Sequence, residues 1–323
     1  MPETSVVAVL GVDAGQLPPG LPAQWPGCEI RMIASGAQLV REAADADVVF
    51  LWEQVGWLRE HWGWSDRLRW VAAPTAGVDW LLFPALTSSD VVVTNAAGVF
   101  DDAIAEYTLA LVAAICTGLP ATLRLQARHQ WQHRETRRLA GRRAVIVGAG
   151  GIGRAIHRAL TGAGLAARCV ARQRRADPEL GEIAPLADLP ALLPGADFVV
   201  LALPLTVSTR GVIGPAELDR MDAGSWLINV GRGALADEDA LAAALGSGVI
   251  GGAALDVFST EPLPAGAPWW DLPNVIVSPH MSGDFQGWQQ ALTGLFTDQL
   301  RRWQAGQPLI NVVDKRLGFV VDR

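Results

Sequence analysis

The sequence predicts an α/β protein with parallel sheets, organised in two domains. Three observations carry this expectation. Short apolar runs alternate with helix-like stretches along most of the chain, which is the rhythm of βαβ units. A G-x-G-x-x-G loop stands near the middle, between a strand-like run and a helix-like run. The 323 residues, 50% of them hydrophobic and 18% charged, are long for one core and supply enough apolar surface for two.

The elements follow in order. Val6-Val7-Ala8-Val9-Leu10 is an unbroken aliphatic run and reads as a buried strand. A helix is expected near 37–44, a second strand at 47–52, and further strands at 68–73 and 91–94. Pro18-Pro19-Gly20 and Pro26-Gly27 punctuate the connections. Asp101-Asp102 supply negative charge to the positive end of a long helix that runs to about Thr117. After an Arg-rich stretch at 124–143 a second series begins, with strands at 144–147, 167–171, 198–203, 225–230, 252–256 and 275–278. An amphipathic helix at 288–303 and the segment Leu309-Ile310-Asn311-Val312-Val313-Asp314 come after it. There is no tandem repeat and no low-complexity segment. The 13 tryptophans, among them Trp57, Trp62, Trp64 and Trp70, read as packing residues.

Several function classes are excluded. No apolar run reaches the roughly 18–20 residues that a membrane-spanning helix needs. The opening Met1-Pro2-Glu3-Thr4-Ser5 carries no basic n-region, and the run at 6–10 is too short for a signal core, so a soluble cytoplasmic protein is expected. Cys28, Cys116 and Cys169 are far apart and form no C-x-x-C pair, so they read as small buried hydrophobes. His61, His129, His133, His157 and His280 show no ligand spacing, and no metal site is expected. The net charge of −7 argues against a nucleic-acid or membrane partner.

The loop Gly148-Ala149-Gly150-Gly151-Ile152-Gly153 leads from the strand at 144–147 into a helix beginning near Arg154. Gly148 permits the tight turn, Gly150 lets backbone approach a pyrophosphate, and Gly153 lets helix pack on strand. The diphosphate then sits on the helix N-terminus beside Gly151 and Ile152. At the end of the next strand, an NAD site carries Asp or Glu for the ribose hydroxyls. Here that position is Ala171, 23 residues after Gly148, and Arg172-Gln173-Arg174-Arg175 follows. Guanidinium forks suit a 2′-phosphate. NADP(H) is therefore expected over NAD(H), through Arg172 with Arg174 or Arg175 assisting. A solvated basic loop is the plainer alternative.

Three later segments end predicted strands: one around Arg232, one around Glu261 and one around His280. Ligands of open parallel sheets bind at such strand ends. Reducing a 2-keto acid needs a cation for the carboxylate, a proton donor for the carbonyl oxygen and a hydride. Arg232 can hold the carboxylate in a bidentate pair. His280 exchanges protons near neutrality. Glu261 would favour its imidazolium form. Singly, Arg232 could cap a strand end, Glu261 could be a surface acid, and His280 could be a satisfied loop histidine. Their order behind a dinucleotide loop argues for a shared role.

Further stretches join these: Thr75-Ala76-Gly77-Val78-Asp79, 95–99, Ala105-Glu106, Leu203-Pro204-Leu205-Thr206, 229–233, 256–262 and 279–283. On them the chain resembles the D-isomer-specific 2-hydroxyacid dehydrogenase family. Asn311-Val312-Val313-Asp314-Lys315 followed by Gly318 is similar to the glyoxylate/hydroxypyruvate reductase branch. The resemblance implies two Rossmann-like domains flanking a cleft. One is a flavodoxin-like substrate domain at 1–98 plus 284–323, and the other an inserted dinucleotide-binding domain at 99–283. It implies that main-chain amides of Ala76, Gly77 and Val78 bind the substrate carboxylate alongside Arg232. It also implies that Asp256 lies near the nicotinamide carboxamide and that Pro204, Val230 and Gly231 line the cofactor. Relatives are usually homodimers, and Trp131 is the candidate to reach a partner's active site.

Formate dehydrogenase shares the fold but transfers no proton and has an amide in place of the family's acid, so Glu261 argues against it. A phosphoglycerate dehydrogenase-like enzyme and a non-catalytic NAD(P)H-sensing corepressor-like module stay open, the second opposed by the intact Arg232, Glu261 and His280. Leu51, Trp52 and Glu53 follow a strand and could line the side-chain pocket, for either small polar or larger apolar keto acids.

Overall fold

The computed structural model describes residues 4–12, 17–22 and 24–321; Met1-Pro2-Glu3, part of the N-terminal reading above, lies outside them. The chain forms two compact units, Met1–Phe100 with Gln286–Arg323, and Asp101–Phe285.

The first unit holds β1 (Ser5–Leu10), β2 (Cys28–Ile33), β3 (Val48–Leu51), β4 (Trp70–Ala72) and β5 (Val92–Thr94). They pair in parallel in the order β2-β1-β3-β4-β5. β1 and β3 are buried from Val6 to Leu10 and from Val48 to Leu51, which is why they read as continuous apolar runs and not as alternating ones. The helix expected near 37–44 is Gly36–Glu42, started by Ser35, whose hydroxyl accepts from the Gln38 amide. β2 was not anticipated. It is an edge strand with Glu29 and Arg31 in it, and Arg31 pairs with Glu29 and Asp45. An edge strand needs apolar residues on fewer sides, so its sequence carries a weaker signal.

Tryptophan in this unit is a packing residue, as expected. Trp70 is buried, donates from Nε1 to Thr94 Oγ1 at 2.9 Å, and stacks on Phe296 of the helix Trp288–Gln304. Phe50 stacks on the same Phe296 with centroids 4.1 Å apart.

The second unit holds β6 (Arg143–Val147), β7 (Ala166–Ala171), β8 (Arg175–Asp177), β9 (Gly181–Pro185), β10 (Phe198–Leu201), β11 (Trp226–Asn229), β12 (Gly252–Leu255) and β13 (Val275–Val277). The order is β13-β12-β11-β10-β6-β7-β9-β8, parallel except for the β8–β9 hairpin. All six expected strands are present. The two expected to reach 203 and 230 stop at Leu201 and Asn229, where the chain turns out of the sheet. The order reverses between β6 and β10: β6 leads through the helix Gly151–Gly162 to β7 on one side, and the chain returns to β10 on the other. That reversal marks the ligand crevice of an open α/β sheet, at the carboxyl ends of the strands. A cavity of about 280 Å³ lined by Cys116, Arg142, Asp197, Phe198 and Trp226 lies at the opposite, amino ends and has no part in this crevice.

The cysteines are free thiols. Burial pushes Cys169 up to about 12 and, with the charge of Asp47, Cys28 up to about 11, so neither is a thiolate near neutrality. Cys28 departs from the expectation in being only half-buried, with its sulfur accepting from Gln304. Among the described residues no single helix is long and apolar enough to cross a membrane. Among them, too, no group of His, Cys, Asp and Glu is arranged to hold a metal ion.

Candidate active site

The glycine loop is built on backbone contacts that admit no side chain. Gly148 adopts φ +130°, and a Cβ there would lie 2.2 Å from the carbonyl oxygen of Ala202, just past β10. A Cβ on Gly153 would lie 2.2 Å from the carbonyl oxygen of Gly148. At Gly150 no atom lies within 4 Å of the Cβ position, and this residue caps the helix without a side-chain hydrogen bond. The helix therefore presents the amides around Gly151, Ile152 and Gly153 with no capping side chain to claim them. These features fit a dinucleotide diphosphate: a tight turn, close packing of helix on strand, and open space at the middle glycine.

Ala171 ends β7, with Arg172, Arg174 and Arg175 exposed after it. Arg174 forms ion pairs with both Glu182 and Asp188. Asp177, the nearest acid in sequence, pairs with Arg154 on the first turn of the glycine-loop helix. The hydrogen bond from Arg154 holds its carboxyl well below the usual range, so it is ionised there.

The loops after β10 and β11 meet beside the glycine loop. Pro204 follows β10, and its carbonyl accepts from Thr209 Oγ1 at 2.7 Å. Val230 is buried, and a Cβ on Gly231 would lie 3.3 Å from the carbonyl oxygen of Leu203. Asn229, the last residue of β11, fixes the turn that follows. Its Oδ1 accepts from the Gly231 amide at 3.1 Å and its Nδ2 donates to the Arg232 carbonyl at 2.9 Å. Arg232 is half-buried, with Nη1 donating to the Gly231 carbonyl at 2.8 Å. Gly233 then presses on the backbone of Phe258 and Ser259, where a Cβ would come within 2.0 Å of the Phe258 carbonyl carbon.

That contact leads to the acid. Glu261 Oε1 accepts from the Phe258 amide at 2.8 Å, and Oε2 accepts from His280 Nδ1 at 2.7 Å. Glu238 Oε1 steadies the same loop by accepting from the Ser259 amide at 2.6 Å. Burial acts to raise the Glu261 carboxyl, but the bonds from His280 and Phe258 and the charges of His280 and Arg232 outweigh it and leave it below its ordinary value. The hydrogen bond to Glu261 raises His280 above its ordinary value, against burial and the repulsion of Arg232. Because Nδ1 is committed to the carboxylate, Nε2 is the nitrogen left for proton exchange. The imidazole side chain is 44% exposed.

The loop carrying His280 is held by Asp256, which is 1% exposed. Its carboxylate accepts from the Ser278 hydroxyl at 2.7 Å and from the amides of Met281 and Ser282 at 3.0 Å each, while its carbonyl accepts from the His280 amide at 2.7 Å. His280 itself sits at φ +52°, a left-handed conformation uncommon outside glycine and sustained here by these four bonds.

The second unit thus brings together Gly148, Pro204, Gly231, Arg232, Asp256, Glu261 and His280 along one edge of its sheet. Ala76, Gly77 and Val78 belong to the first unit, in the turn after β4. There Asn95 Nδ2 donates to the Ala76 carbonyl at 2.6 Å and Thr75 Oγ1 to the Gly77 carbonyl at 2.6 Å. Trp52, just past β3, stacks on Trp288 with centroids 6.3 Å apart. Asn229, Glu238 and Ser278 were missed as site residues. Asn229 had a signal, an amide at the strand end three residues before Arg232; the other two had none.

The profile for the D-isomer specific 2-hydroxyacid dehydrogenase NAD binding domain matches residues 109–282. The chain is 33% identical over 266 residues to glyoxylate/hydroxypyruvate reductase B of Pectobacterium carotovorum, covering 78% of this chain and 81% of that one. Its fold is similar to the NADPH-dependent glyoxylate/hydroxypyruvate reductase of Sinorhizobium meliloti, in complex with NADP and sulfate. That match has a TM-score of 0.84 and 29% identity over 98% of this chain and 100% of the other. A D-isomer specific 2-hydroxyacid dehydrogenase of Xanthobacter autotrophicus, in complex with NADPH and MES, has a TM-score of 0.81 and 29% identity over 98% of this chain and 100% of the other.

Proposed function

The chain belongs to the D-isomer-specific 2-hydroxyacid dehydrogenase family, and from that premise we propose that it reduces a 2-keto acid to the D-2-hydroxy acid, using NADPH in preference to NADH. The observation that carries the proposal is the His280–Glu261 pair, on the same sheet edge as Arg232 and the glycine loop. When bound, the nicotinamide dinucleotide supplies the hydride. Gly148, Gly150, Gly151, Ile152 and Gly153 would hold its diphosphate, with Pro204, Val230, Gly231 and Asp256 toward the nicotinamide. Arg172, assisted by Arg174 or Arg175, would take the 2′-phosphate.

Arg232 binds the substrate carboxylate and polarises the adjoining carbonyl. His280 donates its Nε2 proton to the carbonyl oxygen as negative charge develops there. Glu261 accepts from Nδ1 throughout, orienting the ring and stabilising the imidazolium before transfer. In the oxidative direction the neutral imidazole takes the proton back. As in related reductases, the protein is proposed to act as a homodimer. Trp131, which is fully exposed beyond the helix Leu119–Ala127, is the residue offered to the partner's active site.

Oxidation of NADPH and NADH is to be followed with glyoxylate, hydroxypyruvate and a branched 2-keto acid. Turnover of at least one acid is expected, with a higher kcat/KM for NADPH than for NADH. No oxidation of either cofactor with any acid would sink the enzymatic reading. A higher kcat/KM for NADH would sink the cofactor assignment alone.

The pH dependence follows from the pair. The hydrogen bond to Glu261 raises the pKa of His280, so the imidazolium persists above its ordinary value. Reduction requires that form. Its kcat should hold at lower pH and fall as pH rises through the raised pKa, while oxidation rises over the same interval. Glu261→Gln removes the carboxylate and should move the falling limb to lower pH. A pH–rate profile unchanged in that variant would count against the pair.

A further inference from the structure

The β8–β9 hairpin is tied to the helix that follows the glycine loop. Asp177 ends β8, and its side chain is 7% exposed. Both of its oxygens engage the Arg154 guanidinium, one residue past Gly153, and Oδ1 also accepts from the amides of Glu179 at 3.0 Å and Leu180 at 3.1 Å. Glu179 adds a second tie, to Arg158 at 2.8 Å on the next turn of the same helix. From the other side, Arg174 is held by Glu182 and Asp188. The segment from Ala171 to Asp177 therefore has two fixed ends, β7 in the sheet and Asp177 on the helix.

Arg172 lies inside that segment, and a guanidinium fork recognises a phosphate only in a set orientation. We propose that Asp177, through Arg154, is a positioning residue for coenzyme selectivity: it holds the Arg172–Arg175 loop against the helix that receives the diphosphate. This rests on the NADPH preference proposed above. Asp177 does not touch the cofactor in this role. The 2′-phosphate is the one group that NADPH has and NADH lacks, so a loosened loop weakens NADPH and leaves NADH unaffected.

The test compares the wild-type enzyme with Asp177→Asn and Asp177→Glu, measuring kcat and KM for both cofactors. For Asp177→Asn, the NADPH KM should rise roughly tenfold, the scale of one charge-assisted hydrogen bond, with kcat and the NADH KM unchanged. Asp177→Glu, which keeps the charge, should recover part of the loss. If Asp177→Asn does not fold, Arg154→Lys reads the same split. A wild-type NADPH preference with an unchanged NADPH:NADH ratio in the variant overturns this inference alone. Equal losses with both cofactors and a lowered Tm make Asp177 a purely structural residue and also overturn it. A wild-type preference for NADH overturns the cofactor assignment, and this inference with it.

Discussion

Replacing His280 with alanine is expected to lower kcat for keto-acid reduction by roughly 10²–10⁴-fold, the usual contribution of a positioned general acid. NADPH affinity, read from the quenching or enhancement of its fluorescence on titration, should stay within about twofold, because no diphosphate contact is assigned to the imidazole. The structure makes this a clean test of chemistry. The loop is anchored through Asp256 to Ser278, Met281 and Ser282, and none of those bonds uses the His280 side chain. Truncation therefore leaves the loop pinned. Glu261 loses one partner and keeps the Phe258 amide. Near-normal turnover in His280→Ala would overturn the assignment of the proton donor.

Arg232→Lys should lower kcat/KM for the keto acid by roughly 10²–10³-fold, the scale seen when one preorganised donor to a developing oxyanion is removed. The charge is retained, so the loss measures the planar fork, which meets a carboxylate with two parallel hydrogen bonds where an ammonium offers a point charge. Asn229 grips the Arg232 carbonyl and the Gly231 amide, so the main chain at this position does not depend on the side chain being replaced. The defect should appear in both KM and kcat, since the same group is proposed to hold the carboxylate and to polarise the carbonyl. A lysine variant within about twofold of wild type would mean that the carboxylate is bound elsewhere.

Much of this was legible in the chain because buried parallel strands announce themselves. β1 and β6 carry unbroken aliphatic runs, and the glycine loop sits directly after β6. β2 and the β8–β9 hairpin were not legible. Their places are set by partners distant in sequence, the whole length of β1 for β2 and Arg154 for Asp177 of the hairpin, and a local pattern does not encode those. The site divides the same way. Arg232, Glu261 and His280 stood out by residue type at strand ends. That Glu261 supports the imidazolium was expected; what the chain does not spell out is that the 2.7 Å bond spans 19 residues and that the Phe258 amide holds the other carboxylate oxygen. Asp256 drew notice for a position near the nicotinamide; its hold on the His280 loop depends on four donors from a neighbouring strand end, and no spacing in the sequence reveals them. Ala171 was the opposite case: it drew notice through the side chain it lacks, at the end of β7.

The left-handed backbone at His280 has a kinetic meaning as well. A histidine on a free loop would explore many orientations, and each catalytic cycle would have to freeze them again at an entropic cost of about 1–2 kcal/mol for the backbone of every residue ordered. Here four hydrogen bonds accepted by Asp256 hold the loop, with His280 at φ +52°, before any substrate arrives. The conformational freedom is surrendered once, during folding, and in the proposed reaction the imidazole would meet each new carbonyl already aimed.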